Sequence, residues 1–312
     1  MKISADQHRP FGSTGLRVPP ILFGSCALGN VRRVIPEQTK LEICGDWFRH
    51  VAPPVFIETS NQHGDGMALK GLRRALRRLE IAPEEMVIAA KLGWKNGRIN
   101  RDTVLAAWNE TCQPLGDDYR PQLIAIDVSD FLEAHSALEE LKAAGTVAGI
   151  GAVAQDWRLL KDLVAAINLD WVQLAGSFTV MRHPPELRQF MSDLAERRIA
   201  IINSAVFHGG FLVGASQFNN RAVNVNDPAD SSLLAWRKAF TALCHGHSVR
   251  LSHACIQFAL SAPGVVAVAL DTSRPNRVAE NVESVVTKVP DAFWLAMKEE
   301  RLLEEDYPIA SL

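Results

Sequence analysis

The sequence predicts an α/β protein, a single (β/α)8 barrel over residues 1–312 with an additional C-terminal helix. Three observations lead there. Short apolar runs recur eight times at regular intervals, and segments of helical period separate them, the pattern of parallel strands joined by crossover helices. The length of 312 residues, 47% hydrophobic, is enough to bury the core of one closed barrel.

Taken in order, the first apolar run is 21–27, followed by helical periodicity over 37–50. Strand 55–59 leads to helix 67–79, and strand 86–92 to helix 102–112. Strand 123–128 leads to helix 132–144, stopped by Gly145, and strand 148–153 to helix 157–166. Strand 171–175 precedes a helix over 185–196, with Pro184 and Pro185 where a first turn tolerates proline. Strand 199–204 is followed by the most irregular stretch, 208–230, with Gly209-Gly210, Asn219-Asn220 and Asp227-Pro228. A loop this long after the seventh strand reads as a lid over the barrel mouth. A helix over 248–260, a last strand 265–270 and a Pro275-led turn follow. The tail 291–304 carries Phe293, Trp294, Met297, Leu302 and Leu303, an amphipathic helix laid across the barrel.

Composition bounds the partners. A net charge of -2 and a pI near 6.5 give no electrostatic reason to expect nucleic acid. The arginines 73, 74, 77 and 78 read as the solvated face of the second helix. Neither a signal-peptide core nor an apolar run near 20 residues is present, so no membrane is expected. Five scattered cysteines without a CxxC pair fit a reduced, cytoplasmic compartment. The partner to expect is a small-molecule substrate; the oligomeric state is not readable.

The chemistry concentrates at two strand ends. Val55-Phe-Ile-Glu-Thr-Ser-Asn-Gln-His-Gly64 and Met86-Val-Ile-Ala-Ala-Lys-Leu-Gly-Trp94 are apolar runs that finish in ionisable groups. In a parallel barrel these ends share one mouth, so Glu58, His63 and Lys91 should converge. Gly64-Asp-Gly66 and Gly149-Ile-Gly151 fall short of a dinucleotide fingerprint. Ser204 and His208 lack a nucleophile elbow.

The motifs in order resemble the aldo-keto reductase superfamily, in the branch related to L-fucose (D-threo-aldose) 1-dehydrogenases. They are Phe11-Gly-Ser-Thr-Gly-Leu-Arg-Val, Phe23-Gly-Ser-Cys-Ala-Leu-Gly-Asn, Lys91-Leu-Gly-Trp, Gly149-Ile-Gly-Ala, Leu174-Ala-Gly-Ser-Phe-Thr, Asn203-Ser-Ala-Val-Phe-His-Gly-Gly-Phe-Leu and Ser273-Arg-Pro-Asn-Arg-Val-Ala-Glu-Asn-Val. The resemblance implies a barrel that binds a nicotinamide cofactor without a Rossmann domain. Of the family's four catalytic positions, its Asp falls on Glu58, its Tyr on His63 and its His on Asp127, while its Lys is kept as Lys91. An imidazole beside Lys⁺ favours the neutral form that accepts a proton from an alcohol, so oxidation suits it better than reduction. Asp127 is placed to orient His63 or raise its pKa.

On the cofactor side the resemblance implies Gln155 and Gln173 at the carboxamide and Phe178 stacked on the nicotinamide. It places Ser204, Phe207, Gly209 and Leu212 at the pyrophosphate, and Thr272, Arg277, Glu280 and Asn281 at the adenosine half. Asp271 stands where NADPH-specific relatives often place Lys; it accepts from ribose hydroxyls and repels a 2′-phosphate, favouring NAD over NADP. Trp94, Lys95 and the lid residues 218–221 are the substrate candidates, and no metal is required by this reading. The expected function is NAD(P)-dependent oxidation or reduction of a sugar or polyol-like substrate. Two alternatives stand beside it: a non-redox sugar isomerase, epimerase or lyase using the altered tetrad, and a catalytically silent barrel with a closed Glu58–Lys91–Asp127 ion network.

Overall fold

Side-chain alternation along eight parallel strands determines what lines the centre of this molecule, a computed structural model that describes residues 1–31, 33–94, 99–219 and 221–308. The strands are β1 (Ile21–Gly24), β2 (Val55–Ser60), β3 (Met86–Lys91), β4 (Leu123–Asp127), β5 (Gly149–Ala154), β6 (Trp171–Ala175), β7 (Ala200–Ser204) and β8 (Val265–Leu270), and β8 pairs back onto β1 to close the barrel. Phe56, Val87, Ala89, Leu123, Ala125, Trp171 and Ile202 form one internal cluster. Their neighbours Ile57, Ile88, Ile124, Ile126, Val172 and Ile201 pack outward, in the layer shared with the helices. Stepping each inward series on by two residues reaches Glu58, Lys91, Asp127, Gln173 and Ser204.

The helices cover this barrel with their apolar stripes. They are α1 (Glu37–His50), α2 (Met67–Arg78), α3 (Arg101–Leu115), α4 (Phe131–Ala143), α5 (Trp157–Ala166), α6 (Pro185–Glu196), α7 (Pro228–Gly246), α8 (Leu251–Leu260), α9 (Asn276–Val286) and α10 (Asp291–Glu299). In α2, Ala68, Leu69, Leu72, Ala75 and Leu76 are buried at helical spacing, and Arg74, Arg77 and Arg78 face solvent as expected. An N-terminal hairpin, Arg9–Pro10 with Arg17–Val18, seals the bottom, where Phe11 packs 5.5 Å from Phe56 and 5.8 Å from Trp171 between ring centroids. With the N-terminal end of the strands closed, the C-terminal end is the entrance.

Two elements differ from the sequence reading. The 208–230 stretch contains a 3-10 turn, Phe211–Val213, and a small hairpin of Gln217–Phe218 with Arg221–Ala222, and α7 begins inside it. Asp227 caps α7 by accepting from the Ala229 N–H at 2.9 Å, with Pro228 in the first turn. The tail helix α10 ends at Glu299, because the chain turns through Arg301 at φ 57° before burying Leu303 and Tyr307.

Candidate active site

The turn 61–66 joins β2 to α2 and holds His63, whose N–H donates to the Ser60 carbonyl at 3.3 Å and whose carbonyl accepts from Ala68 N–H at 3.2 Å. Gly64 follows at φ 61°, and the Gly29 carbonyl lies against it where a Cβ would stand. A side chain there would push the His63 turn off the Cys26–Gly29 turn beneath it. The position is therefore set by backbone contact.

His63 is half-buried, and both burial and the charge of Lys91 push its pKa below the ordinary imidazole value. Its Nδ1 is buried without a hydrogen-bond partner, and among the described residues Nε2 is engaged by no hydrogen bond. The Glu58 carboxyl is pushed up by burial; Lys91 and a hydrogen bond from Gln173 hold it down, and the nearby Asp271 raises it again. Lys91 thus acts on both Glu58 and His63 at the strand ends. Among the described residues no ion pair of Lys91 lies within 4 Å, and its charge acts on Glu58 from a greater distance.

Asp127 does not join this group through His63. Its Oδ1 accepts from Ser129 N–H at 3.2 Å and from Ser129 Oγ at 2.9 Å, capping the Val128–Asp130 turn, and the charge acting on His63 is that of Lys91. The expected orienting role is corrected accordingly: a short acceptor at a strand end is drawn to the backbone two residues on.

Beside the mouth lies a groove of about 660 Å³ between the loop after β7, the start of α8 and the connection from β8 to α9. It is lined by Phe207, Asp271, Thr272, Arg274, Arg277 and Asn281, all anticipated, and also by His245, Arg250 and Ser252, which were not. The start of α8 has no side-chain cap, so its first amides are available to an anion. The signal was present in Arg250-Leu-Ser252, a helix opening without an acidic residue or cap. Volume, cations and open amides fit the phosphate and adenosine portion of a dinucleotide.

The remaining cofactor candidates divide. Gln173 is buried against Glu58; Gln155 and Gly209 are exposed; Ser204 Oγ donates to the Leu174 carbonyl at 3.2 Å; Glu280 is held by Arg277 at 2.7 Å. Phe178 is a correction. Its ring is wholly buried and stacked on Phe258 at 5.1 Å, so neither face is offered to a nicotinamide. Phe178→Ala is expected to cost about 3–5 kcal/mol of stability in urea unfolding and to leave NADH affinity unchanged. Leu212 is a second correction: the side chain is fully buried and its N–H is spent on the Phe207 carbonyl at 3.2 Å, leaving nothing for a phosphate.

The lid is tied down at both ends. His208 is fully buried, bonded through Nε2 to Thr179 Oγ1 at 2.8 Å and through Nδ1 to Asn219 Oδ1 at 3.1 Å, and stacked on Phe218 at 4.6 Å. Burial lowers its pKa to about 4, so it stays neutral. The Arg221 guanidinium is turned onto Asp230 at 2.5 and 2.9 Å, so that substrate candidate is already engaged. Trp94 stays half-buried at the rim, while Lys95 lies outside the described residues. A separate cavity of about 550 Å³, walled by Met181, His183, Trp236, Leu302 and Glu304, holds none of the strand-end residues.

Comparison with known proteins fits this geometry. The aldo/keto reductase family model matches residues 20–300. The chain belongs to the aldo/keto reductase family. It is an oxidoreductase-type enzyme by that membership, in a family that uses nicotinamide cofactors. Pyridoxal 4-dehydrogenase of Microbacterium luteolum is 23% identical, covering 97% of this chain and 100% of the relative. D-threo-aldose 1-dehydrogenase of a Pseudomonas species is 23% identical over 93% of this chain and 96% of its own. L-galactose dehydrogenase of Arabidopsis thaliana is 24% identical, with 95% and 92% covered. The fold matches that of an aldo-keto reductase from Bacillus halodurans at a TM-score of 0.73, 17% identity and coverage of 94% and 95%.

Proposed function

We propose that this aldo/keto reductase is an NAD-dependent dehydrogenase that oxidises a hydroxyl-bearing carbon of a sugar or a related cyclic hemiacetal. The observation that carries this reading is His63 at the mouth, with burial and Lys91 favouring its neutral form and no hydrogen bond from the described residues on Nε2. A neutral imidazole takes the proton from the substrate hydroxyl. Because its pKa is lowered it is a weak base, and it suits a hydroxyl that ionises readily. A hemiacetal hydroxyl does so more readily than a simple alcohol, in keeping with relatives named for aldose position 1 and for L-galactose.

When bound, the nicotinamide supplies the hydride acceptor. Residues of this chain do the rest: Lys91 places positive charge where the alkoxide develops, Glu58 and Gln173 hold the floor of the mouth, and the groove holds the far end of the dinucleotide. Asp271 lines that groove and leans over β1, its Cβ 3.2 Å from where a Cβ on Gly24 would stand. Arg277 is engaged by Glu280 at 2.7 Å and Arg250 by Glu283 at 2.8 Å, so two of the three groove arginines are already neutralised. This favours NAD over NADP. Asp271→Lys is expected to tighten NADPH binding about tenfold, ~1.4 kcal/mol, with little change for NADH. Equal NADPH affinity in both proteins, measured by fluorescence titration, would remove Asp271 from the account of specificity.

A further inference from the structure

We infer that Asn61 is a positioning residue that fixes His63 against Lys91. This rests on the dehydrogenase reading above for its consequence, though not for its geometry. The β2–β3 ladder runs from Val55 and Met86 to Ser60 and Lys91 and stops there. Beyond it the two chains would part, β2 into the His63 turn and β3 toward Trp94. The Asn61 carboxamide spans the gap: Nδ2 donates to the Gly93 carbonyl at 2.7 Å, and Oδ1 accepts from the Gly93 N–H at 3.0 Å. One side chain thereby satisfies both polar groups of Gly93, acting as the next rung of the sheet. Gln62 adds a bond from Nε2 to the Trp94 carbonyl at 3.1 Å, and its carboxamide fills the space that a Cβ on Gly93 would need.

The result is a rigid coupling of the two segments that carry the chemistry. Asn61 lies two residues before His63, and Gly93 lies two residues after Lys91. On its other side the His63 turn rests on Gly29, so it is clamped between two backbone contacts. No hydrogen bond links Asn61 to the imidazole or the ammonium among the described residues, and its further contact is with Glu110 Oε2 of α3 at 3.4 Å. Its influence therefore passes through the backbone. The neighbouring elements carry Lys91 of β3, Glu58 of β2, Asp65 of its own turn, Lys70, Arg73 and Arg74 of α2, Cys26 of the turn beneath, Asp127 of β4 and Glu110 of α3; of these, Lys91 is the one whose charge acts on the imidazole. Releasing the clamp separates His63 from Lys91 and exposes the ring, and both changes return the imidazole toward its ordinary value.

The test is Asn61→Leu, read by NMR titration of the His63 ring in the resting protein and by the pH profile of NAD-dependent oxidation. The expected result is an upward shift of the His63 titration, the same shift in the acid limb of kcat/KM, and a fall in kcat of about 10- to 100-fold, the scale set by small misplacements of reacting groups. KM for NAD stays unchanged. A lower melting temperature with an unmoved His63 titration overturns the proposal, since that is what a purely structural residue gives. If Asn61→Leu does not fold, Asn61→Gln, which carries the same carboxamide one methylene too far, is read in the same way. The resting titration needs neither nucleotide nor turnover. An unmoved titration therefore sinks the role of Asn61 alone, whereas failure of the wild type to bind NADH sinks the dehydrogenase reading alone.

Discussion

His63→Gln is expected to lower kcat/KM for oxidation about 10²–10⁴-fold, the range that a positioned general base contributes, with NADH affinity unchanged because the groove lies elsewhere. The pH profile gives the sign. Burial and Lys91 lower the His63 pKa, so the neutral, proton-accepting form persists below the pH at which a free imidazole becomes half protonated, about 6.5. The acid limb of the wild-type rate should therefore lie below that pH. The same shift makes folding stability rise with pH between the lowered folded pKa and the unfolded value, since the unfolded chain binds the extra proton there. His63→Tyr replaces the imidazole with a phenol of ordinary pKa near 10 and should move the optimum for oxidation upward. An unchanged profile in that variant would mean that the proton leaves by another route.

Lys91→Met is expected to cost about 10²–10³-fold in kcat, comparable to the loss of one preorganised charge-stabilising donor. It should also move two titrations in the same direction. His63 loses the cation that depresses it, and Glu58 loses the cation that offsets its burial, so both pKa values rise. A steady-state pH profile should then show its acid limb at higher pH than the wild type. Because Lys91 acts partly through His63, the double variant should fall well short of the product of the two single losses. Multiplicative losses would show two independent roles and would separate Lys91 from the imidazole.

The barrel was legible because its strands are short apolar runs and its helices are amphipathic, two periods that do not overlap. The inward placement of Glu58 and Lys91 followed from the same alternation that buries Phe56 and Ala89. The sequence hid whatever tertiary packing decides. Phe178 sits one turn past a strand end where an aromatic ring can face either cofactor or core, and Phe258 on α8 draws it inward. Asp127 has a backbone alternative two residues away that spacing to His63 does not reveal. Helix α7 was masked by the Gly and Asn pairs before it, although Asp227-Pro228 is a start signal. The Asn61 clamp depends on two chain segments about thirty residues apart and leaves no local pattern.

The most direct measurement is a titration of the purified protein with NADH and with NADPH, following the quenching of its seven tryptophans, one of which, Trp94, stands at the rim of the mouth. Saturable binding of NADH, with NADPH weaker, is the result expected if the groove beside the mouth holds the dinucleotide and Asp271 repels a 2′-phosphate, as proposed. Binding of neither nucleotide at millimolar concentration would contradict the dehydrogenase assignment.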